Sequence, residues 1–395
     1  MRNLLLAVAS ILSVCAAPPA AAQTPAGGLE IHFCPEGVAR PYPLDSLRGV
    51  QGLLLHNIAI LNRAGGAAEV GTVEIELLHG GEVQDIRRLT GPALASAARS
   101  GHATQAQGAM QLFAFQFCDG RLLGDARLPD RPTLEVGQAL LIGQQIFAWR
   151  GARDEARVTA TVAGRPLRAV QSLRLDPAMS QTAFRWPLRR GPWLVGAGAS
   201  FHTAHRWAIP EQFALDIFAV GADGLSRRGP GERNADFLAY DAEVLAAAGG
   251  RVVKLVTGSS EAPPMLRAPG ETLEAYYGRI AERQARNIAA GEPGLMGDTV
   301  VIDHGNAEFS VYAHLVPGSV RVGVGDAVSA GQPIGRLGSS GNSTEPHLHF
   351  QVCDRPSSVS CAGLIPNFTG IELPLADGPR PLQSGDMVIA VEPAG

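Results

Sequence analysis

The sequence predicts a mostly β protein in two parts: a sandwich-like amino-terminal region, then an antiparallel sheet interrupted by a helical insertion. Three observations predict this. Short runs that alternate or stay apolar over strand lengths recur along the chain, with Gly, Asp and Asn turns between them. One stretch, residues 271–291, has the make-up of a surface helix. A Pro-rich, charged stretch without clear period, residues 176–190, separates the two β-rich regions and reads as a linker. The 395 residues suffice for two or three domains. A composition 46% hydrophobic and 18% charged suits packed cores rather than a disordered chain. The formal net charge of -4 offers no bulk attraction to nucleic acid or anionic lipid, so no nucleic-acid partner is expected.

In chain order, residues 1–22 read as an export signal. Arg2 is the positive start, Leu4 to Val14 form a short apolar run, and Ala20, Ala21 and Ala22 give a small-residue cleavage site before Gln23. The run is too short to span a bilayer, and no later stretch reaches the ~18 apolar residues a spanning helix needs. Cys15 leaves a lipoprotein reading open, although Val14 precedes it where a small residue is wanted. A periplasmic or extracellular location is therefore expected. The four cysteines after the signal, Cys34, Cys118, Cys353 and Cys361, suggest two disulfides in an exported protein. Cys353 and Cys361 would staple one loop, and Cys34 and Cys118 could tie the first domain together.

Residues 23–175 contain "TVEIELL", "MQLFAFQF" and "ARVTATVAG", all strand-like, as expected for one or two antiparallel sandwiches, an immunoglobulin-like domain being one form. His32, His56, His79 and His102 are scattered there and read as ordinary core or surface residues. Residues 191–375 return to strands in "QFALDIFAV", "RVVKLVTG", "DTVVIDHG", "SVYAHLV" and "PHLHFQV", and residues 376–395 read as a carboxy-terminal extension. The helix over 271–291 has helix formers and a Gly stop, and would border a substrate groove or serve as a solvated connector.

The chemistry concentrates in this second region, which holds six of the ten histidines. In a strand, alternate side chains share a face, so His347 and His349 of "HLHF" project together while Leu348 and Phe350 point to the core. Two imidazoles side by side suit a metal site, one binding the ion and one handling protons. His314 in "VYAHLV" and Asp216 in "QFALDIF" are polar residues among apolar strand neighbours. A carboxylate in such a place needs a partner to offset its desolvation, and a cation is one such partner.

With these residues in view, "GDTVVIDHGNAEFSVYAHL" and "VGDAVSAGQPIGRLGSSGNSTEPHLHFQV" resemble the lysostaphin-type zinc endopeptidases of bacterial cell walls. The resemblance covers roughly residues 185–375. "HRWAIPEQFALDI" resembles the family's first metal motif in its longer-spaced form, with ten residues between His205 and Asp216. The resemblance implies a duplicated hybrid motif fold and one zinc ion (Zn2+) held by His205, Asp216 and His349, with a solvent position left for the attacking water. His202 lies close enough to replace His205. The family's two non-ligand histidines fall on His314 and His347, which would divide proton transfer and oxyanion stabilisation. Peptidoglycan peptide cross-links are the implied substrate. An alternative on the same fold is a wall-binding or regulatory protein that activates other hydrolases. His304 matches a family turn without metal and reads as structural. "GSSGNST" lacks the Lys of a phosphate loop and leads into a strand, so it reads as a groove wall. The "GDAVSAGQPIG" hairpin is similar to biotinyl and lipoyl carriers but has no lysine at its tip.

Overall fold

The computed structural model describes residues 28–189, 191–376 and 380–391. The expected export signal and Cys15 lie outside the described residues, as does part of the carboxy-terminal extension. The molecule is mostly β and its sheets are largely antiparallel.

In the first half, alternating runs become two facing sheets. One contains Leu29–Cys34, Tyr42–Asp45, Val50–Asn62 and Ala139–Arg150; the other centres on Ala68–His79, Glu82–Thr90, Glu155–Val162 and Arg168–Leu175. Their inward residues, among them Ile31, Leu53, Ile58, Val73, Ile75, Leu77, Ile142 and Val158, form one continuous core. Glu155–Val162 follows the period-2 rule with alternate residues buried, whereas Val50–Asn62 is buried on both faces. The helix Gly91–Ala106 adds Leu94 and Ala98 to that core.

Two local expectations differ from the structure. "MQLFAFQF" is not a strand: it forms the short helix Ala109–Leu112 and the 3-10 turns Ala114–Gly120. Its backbone bonds close locally, as from Gln116 N–H to the Phe113 carbonyl at 2.8 Å, and the Cys34–Cys118 disulfide ties it to the first strand. The expected linker also carries structure. Met179–Arg185 is a strand that pairs in parallel with Gly363–Thr369, and Phe184, Trp186 and Leu188 are buried in the second core. Three large apolar side chains at alternate positions gain more by burial than a free linker would allow. The second expected disulfide, Cys353–Cys361, is also present.

The second half is built on an eleven-stranded sheet. At its centre Asp298–Asp303, Phe309–Leu315, Leu348–Cys353, Leu215–Ala219 and Trp193–Ala197 lie side by side in that order, all antiparallel. One face buries Val195, Leu215, Ile217, Val300, Tyr312, Leu348 and Phe350. The insertion is the helix Leu273–Ala289, started by Thr272, whose hydroxyl accepts from Ala275 N–H at 3.2 Å, and followed by Gly291 at φ 72°.

Candidate metal centre

Asp216 and His349 meet because their strands are neighbours and their register makes them direct partners. Leu215 and Ile217 turn into the core, which leaves Asp216 on the opposite face. Its Oδ1 lies 3.0 Å from His349 Nδ1 and its Oδ2 lies 3.4 Å from His205 Nε2. His205 comes from the 3-10 turn His205–Trp207, outside the sheet. His202, the other candidate, is exposed and belongs to no cluster of potential ligands among the described residues. The geometry therefore favours His205 as the partner of Asp216.

The three residues offer one donor atom each within 4.8 Å of one another. Their hydrogen bonds test whether an ion fits. Gln351 stands two residues beyond His349 on the same strand face. Its Nε2 donates to the Ser358 carbonyl at 2.9 Å, so its Oε1 is left to accept from His349 Nε2–H at 2.8 Å. In a neutral His349 the proton then sits on Nε2, and the Nδ1 lone pair faces the Asp216 carboxylate. Two acceptors at that distance repel unless a cation stands between them or the ring is protonated. His205 Nδ1 is buried without a hydrogen-bond partner among the described residues. Two imidazoles and a carboxylate with donor atoms this close together are the kind of ligand set that zinc takes. The donor set fits a zinc ion. Sequence reasoning missed Gln351; the signal was there in its i+2 spacing from His349.

His314 and His347 complete the cluster. His347 Nδ1 donates to the Glu345 carbonyl at 2.8 Å, and its Nε2 lies 3.3 Å from Asp216 Oδ1. His314 Nδ1 donates to the Ser340 carbonyl at 2.8 Å, and its ring sits edge-on to His347 with centroids 4.8 Å apart. Each ring is thus pinned through Nδ1 by a main-chain carbonyl, which leaves Nε2 to face the cluster, that of His347 toward the Asp216 carboxylate. Phe218 stacks on His347 at 4.9 Å, and Gly196 makes room for it: a Cβ there would collide with the Phe218 ring.

His314 reaches this position through an irregular backbone. It has φ 61°, and the pairing of Asp298–Asp303 with Phe309–Leu315 shifts register just there. Plain alternation would keep Tyr312 and His314 on one face. With the shift, Tyr312 and Leu315 both enter the core while His314 turns to the cluster. Left-handed backbone at a histidine costs energy and is concentrated at functional sites.

The carbonyls that pin the two histidines belong to the "GSSGNST" loop and its exit. That loop is held by Asp298 N–H to Ser340 Oγ (2.9 Å), Ser340 Oγ to the Leu315 carbonyl (2.7 Å), and Glu261 accepting from Ser339 N–H (2.7 Å). The inserted helix grips it from outside, through Arg283 to the Ser343 carbonyl at 2.9 Å and Asn287 to Asn342 Oδ1 at 3.1 Å. Beside the cluster runs an open groove of ≈450 Å³ lined by Leu194, Gly196, Asp216, Phe218, Ser226 and Glu345.

The electrostatics follow from burial. Burial alone would raise the Asp216 pKa, but the surrounding imidazoles hold it well below the usual carboxylate range. Burial pushes His314 well below an ordinary histidine. It opposes the charge of His347 and His349 too, yet the Asp216 carboxylate outweighs it and raises both. His304 stands apart, bonded to the Gly249 carbonyl at 2.8 Å and to Ser310 Oγ at 2.7 Å, in keeping with a structural role.

Residues 234–360 match the family model described as Peptidase family M23; this stretch includes His314, His347 and His349 but not His205 or Asp216. Among curated proteins, the peptidoglycan DD-endopeptidase ShyA of Vibrio cholerae is 42% identical over 64 residues, 16% of this chain and 14% of that protein. The murein hydrolase activator EnvC of Escherichia coli is 43% identical over 64 residues, 16% of this chain and 15% of that protein. The aligned part thus spans about one seventh of these relatives. Among solved structures, the catalytic domain of lysostaphin from Staphylococcus simulans is 19% identical and covers 45% of this chain and 88% of that one, with a TM-score of 0.23.

Proposed function

We propose, from the match of residues 234–360 to peptidase family M23, that the chain is an exported zinc metalloendopeptidase of the lysostaphin type that hydrolyses peptide cross-links of bacterial peptidoglycan. The observation that carries this reading is the meeting of His205, Asp216 and His349 around one point, with two more imidazoles within reach. These three residues would hold the metal. A zinc ion bound there supplies Lewis acidity to carbonyl and water oxygens.

The remaining residues supply the rest. The Nε2 atoms of His314 and His347, the latter beside the Asp216 carboxylate, take and return the proton and donate to the oxygen that becomes negative as a peptide carbonyl is attacked. Their carbonyl anchors keep the rings from swinging away. The open groove beside Asp216 admits an extended peptide, and Phe218 keeps His347 oriented along its wall. Peptidoglycan as substrate and a place outside the cytoplasm are supported by the relatives, whose names refer to peptidoglycan and murein.

A second reading, regulation of other wall hydrolases, is raised by the likeness to a hydrolase activator. The complete donor set favours the peptidase. The test is digestion of purified walls by the zinc-loaded protein, with mass spectrometry of released peptides and His349→Ala as control. Release of cross-link peptides by the wild type alone is expected. A zinc-loaded wild type that releases nothing, yet stimulates a second hydrolase, would replace the peptidase by the activator.

A further inference from the structure

Asp216 and His349 are fixed by the sheet, but His205 is not. It opens a ten-residue connection that leaves the sheet, and several of the restraints on that connection come from the amino-terminal half. Gln116 grips the connection with both ends of its amide: Nε2 donates to the Trp207 carbonyl at 2.7 Å and Oε1 accepts from Ile209 N–H at 2.8 Å. Gln116 is itself held, since Asn57 donates to its carbonyl at 2.6 Å and Cys118, two residues on, is bonded to Cys34. Arg206, next to His205 and fully buried, lays its guanidinium over the Tyr42 ring at 3.9 Å. Tyr42 also packs edge-on against Phe213, with centroids 5.6 Å apart. His56 donates to Gln212 Oε1 at 3.0 Å, and Ile209 is buried among Cys34, Ala59, Cys118 and Leu141. From its own half, the connection receives a bond from Gly363 N–H to the Ile209 carbonyl at 3.2 Å, Trp207 Nε1 donates to the Phe201 carbonyl at 3.2 Å, and Phe213 packs with Ile365.

We infer that the amino-terminal sandwich is a structural part of the metal centre, with Gln116, Tyr42 and His56 as positioning residues that hold His205 against Asp216. The inference rests on the reading of His205 as a ligand. A free ten-residue connection would have to be ordered each time a ligand binds, and that cost is subtracted from affinity. Here the ordering is done by folding. The clamp reaches the connection at Arg206, Trp207, Ile209, Gln212 and Phe213, so the ring of His205 has little room to swing.

The experiment uses the full chain and four variants: Gln116→Ala, Tyr42→Leu, Tyr42→Phe, and Val158→Ala, a fully buried sandwich residue away from the clamp. Hydrogen exchange of residues 206–213 is measured on metal-free protein. Zinc affinity is then measured by chelator competition, with the visible spectrum of the cobalt-substituted protein as a report on the ligand set. Gln116→Ala removes two hydrogen bonds, so exchange in 206–213 rises about tenfold or more and zinc affinity falls by a similar factor. The strands of Asp216 and His349 exchange as before, and the cobalt spectrum changes. Tyr42→Leu acts likewise, while Tyr42→Phe, which keeps the ring under the Arg206 guanidinium, moves both readouts less than Tyr42→Leu. Val158→Ala lowers the melting temperature without moving either readout. Wild-type exchange and affinity in Gln116→Ala and Tyr42→Leu would overturn the inference. So would Val158→Ala weakening zinc as much as they do. A wild type that binds no zinc would sink the metal reading, while the exchange comparison still decides whether the sandwich orders this connection.

Discussion

Asp216 Oδ1 and His349 Nδ1 stand 3.0 Å apart across two adjacent antiparallel strands, although 133 positions separate them in sequence. The bond from His349 Nε2 to Gln351 turns Nδ1 toward the carboxylate. Gln351→Leu should therefore keep the fold but free the ring, and zinc affinity should fall about tenfold to a hundredfold, as for partners that orient metal-bound histidines. Chelator competition measures it; an unchanged dissociation constant would remove Gln351 from the site.

His347 touches Asp216 but is not one of the three proposed ligands. His347→Ala is expected to retain one equivalent of zinc while turnover drops by roughly a hundredfold or more. His349→Ala should lose metal and activity together. Metal analysis beside wall digestion distinguishes the two, and a fully active His347→Ala protein would end the assignment of a proton-handling role.

At His314 the backbone itself is testable. Glycine in a strand interior ordinarily costs more than alanine, by about 0.5–1 kcal/mol. At φ 61° the order should reverse, because a Cβ in left-handed backbone costs about 1 kcal/mol. His314→Gly should thus be at least as stable as His314→Ala in urea unfolding, with both inactive. Alanine clearly ahead would mean the local backbone is regular.

His56 is buried, and burial holds its pKa down to about 4. The unfolded chain takes up a proton near pH 6.5, while the folded chain does so only near 4. Stability present at neutral pH is therefore lost as pH falls through this window, by roughly 3 kcal/mol in total. Comparing denaturant midpoints of the wild type and His56→Asn between pH 7 and 4 isolates this contribution. The wild type should have the steeper loss; parallel curves would contradict a neutral buried His56.

The two disulfides close loops of very different size, with sequence separations of 84 and 8. In the chain-entropy account the first stabilises by roughly 4.5 kcal/mol and the second by roughly 2.5 kcal/mol. Replacing Cys34 and Cys118 with Ser should lower the melting temperature more than replacing Cys353 and Cys361, as calorimetry of the two variants would show.

Much of the second half was legible because its signals are local. The apolar run in "DTVVIDHG" and the alternation in "PHLHFQV" give strands whichever sheet they join, and the shared face of His347 and His349 follows from a period of two. The helix Leu273–Ala289 announced itself by composition and its Gly stop. "MQLFAFQF" has an apolar run of strand length too and is not a strand, since a disulfide and local turns decide its path. Met179–Arg185 has no obvious period and is a strand, because Gly363–Thr369 offers it an edge.

By itself, then, the order of residues determined the β character, the faces of the strands and the chemical types gathered in the second half, for these depend on neighbours a few positions away. Tertiary structure alone decided that His205 rather than His202 meets Asp216, that His314 turns out of alternation, that Gln351 orients His349, and that a distant sandwich grips the connection between them. The physical reason is range. Hydrogen bonds and packing between residues a hundred positions apart leave no periodic trace in the chain, and they exist only once the sheets have closed.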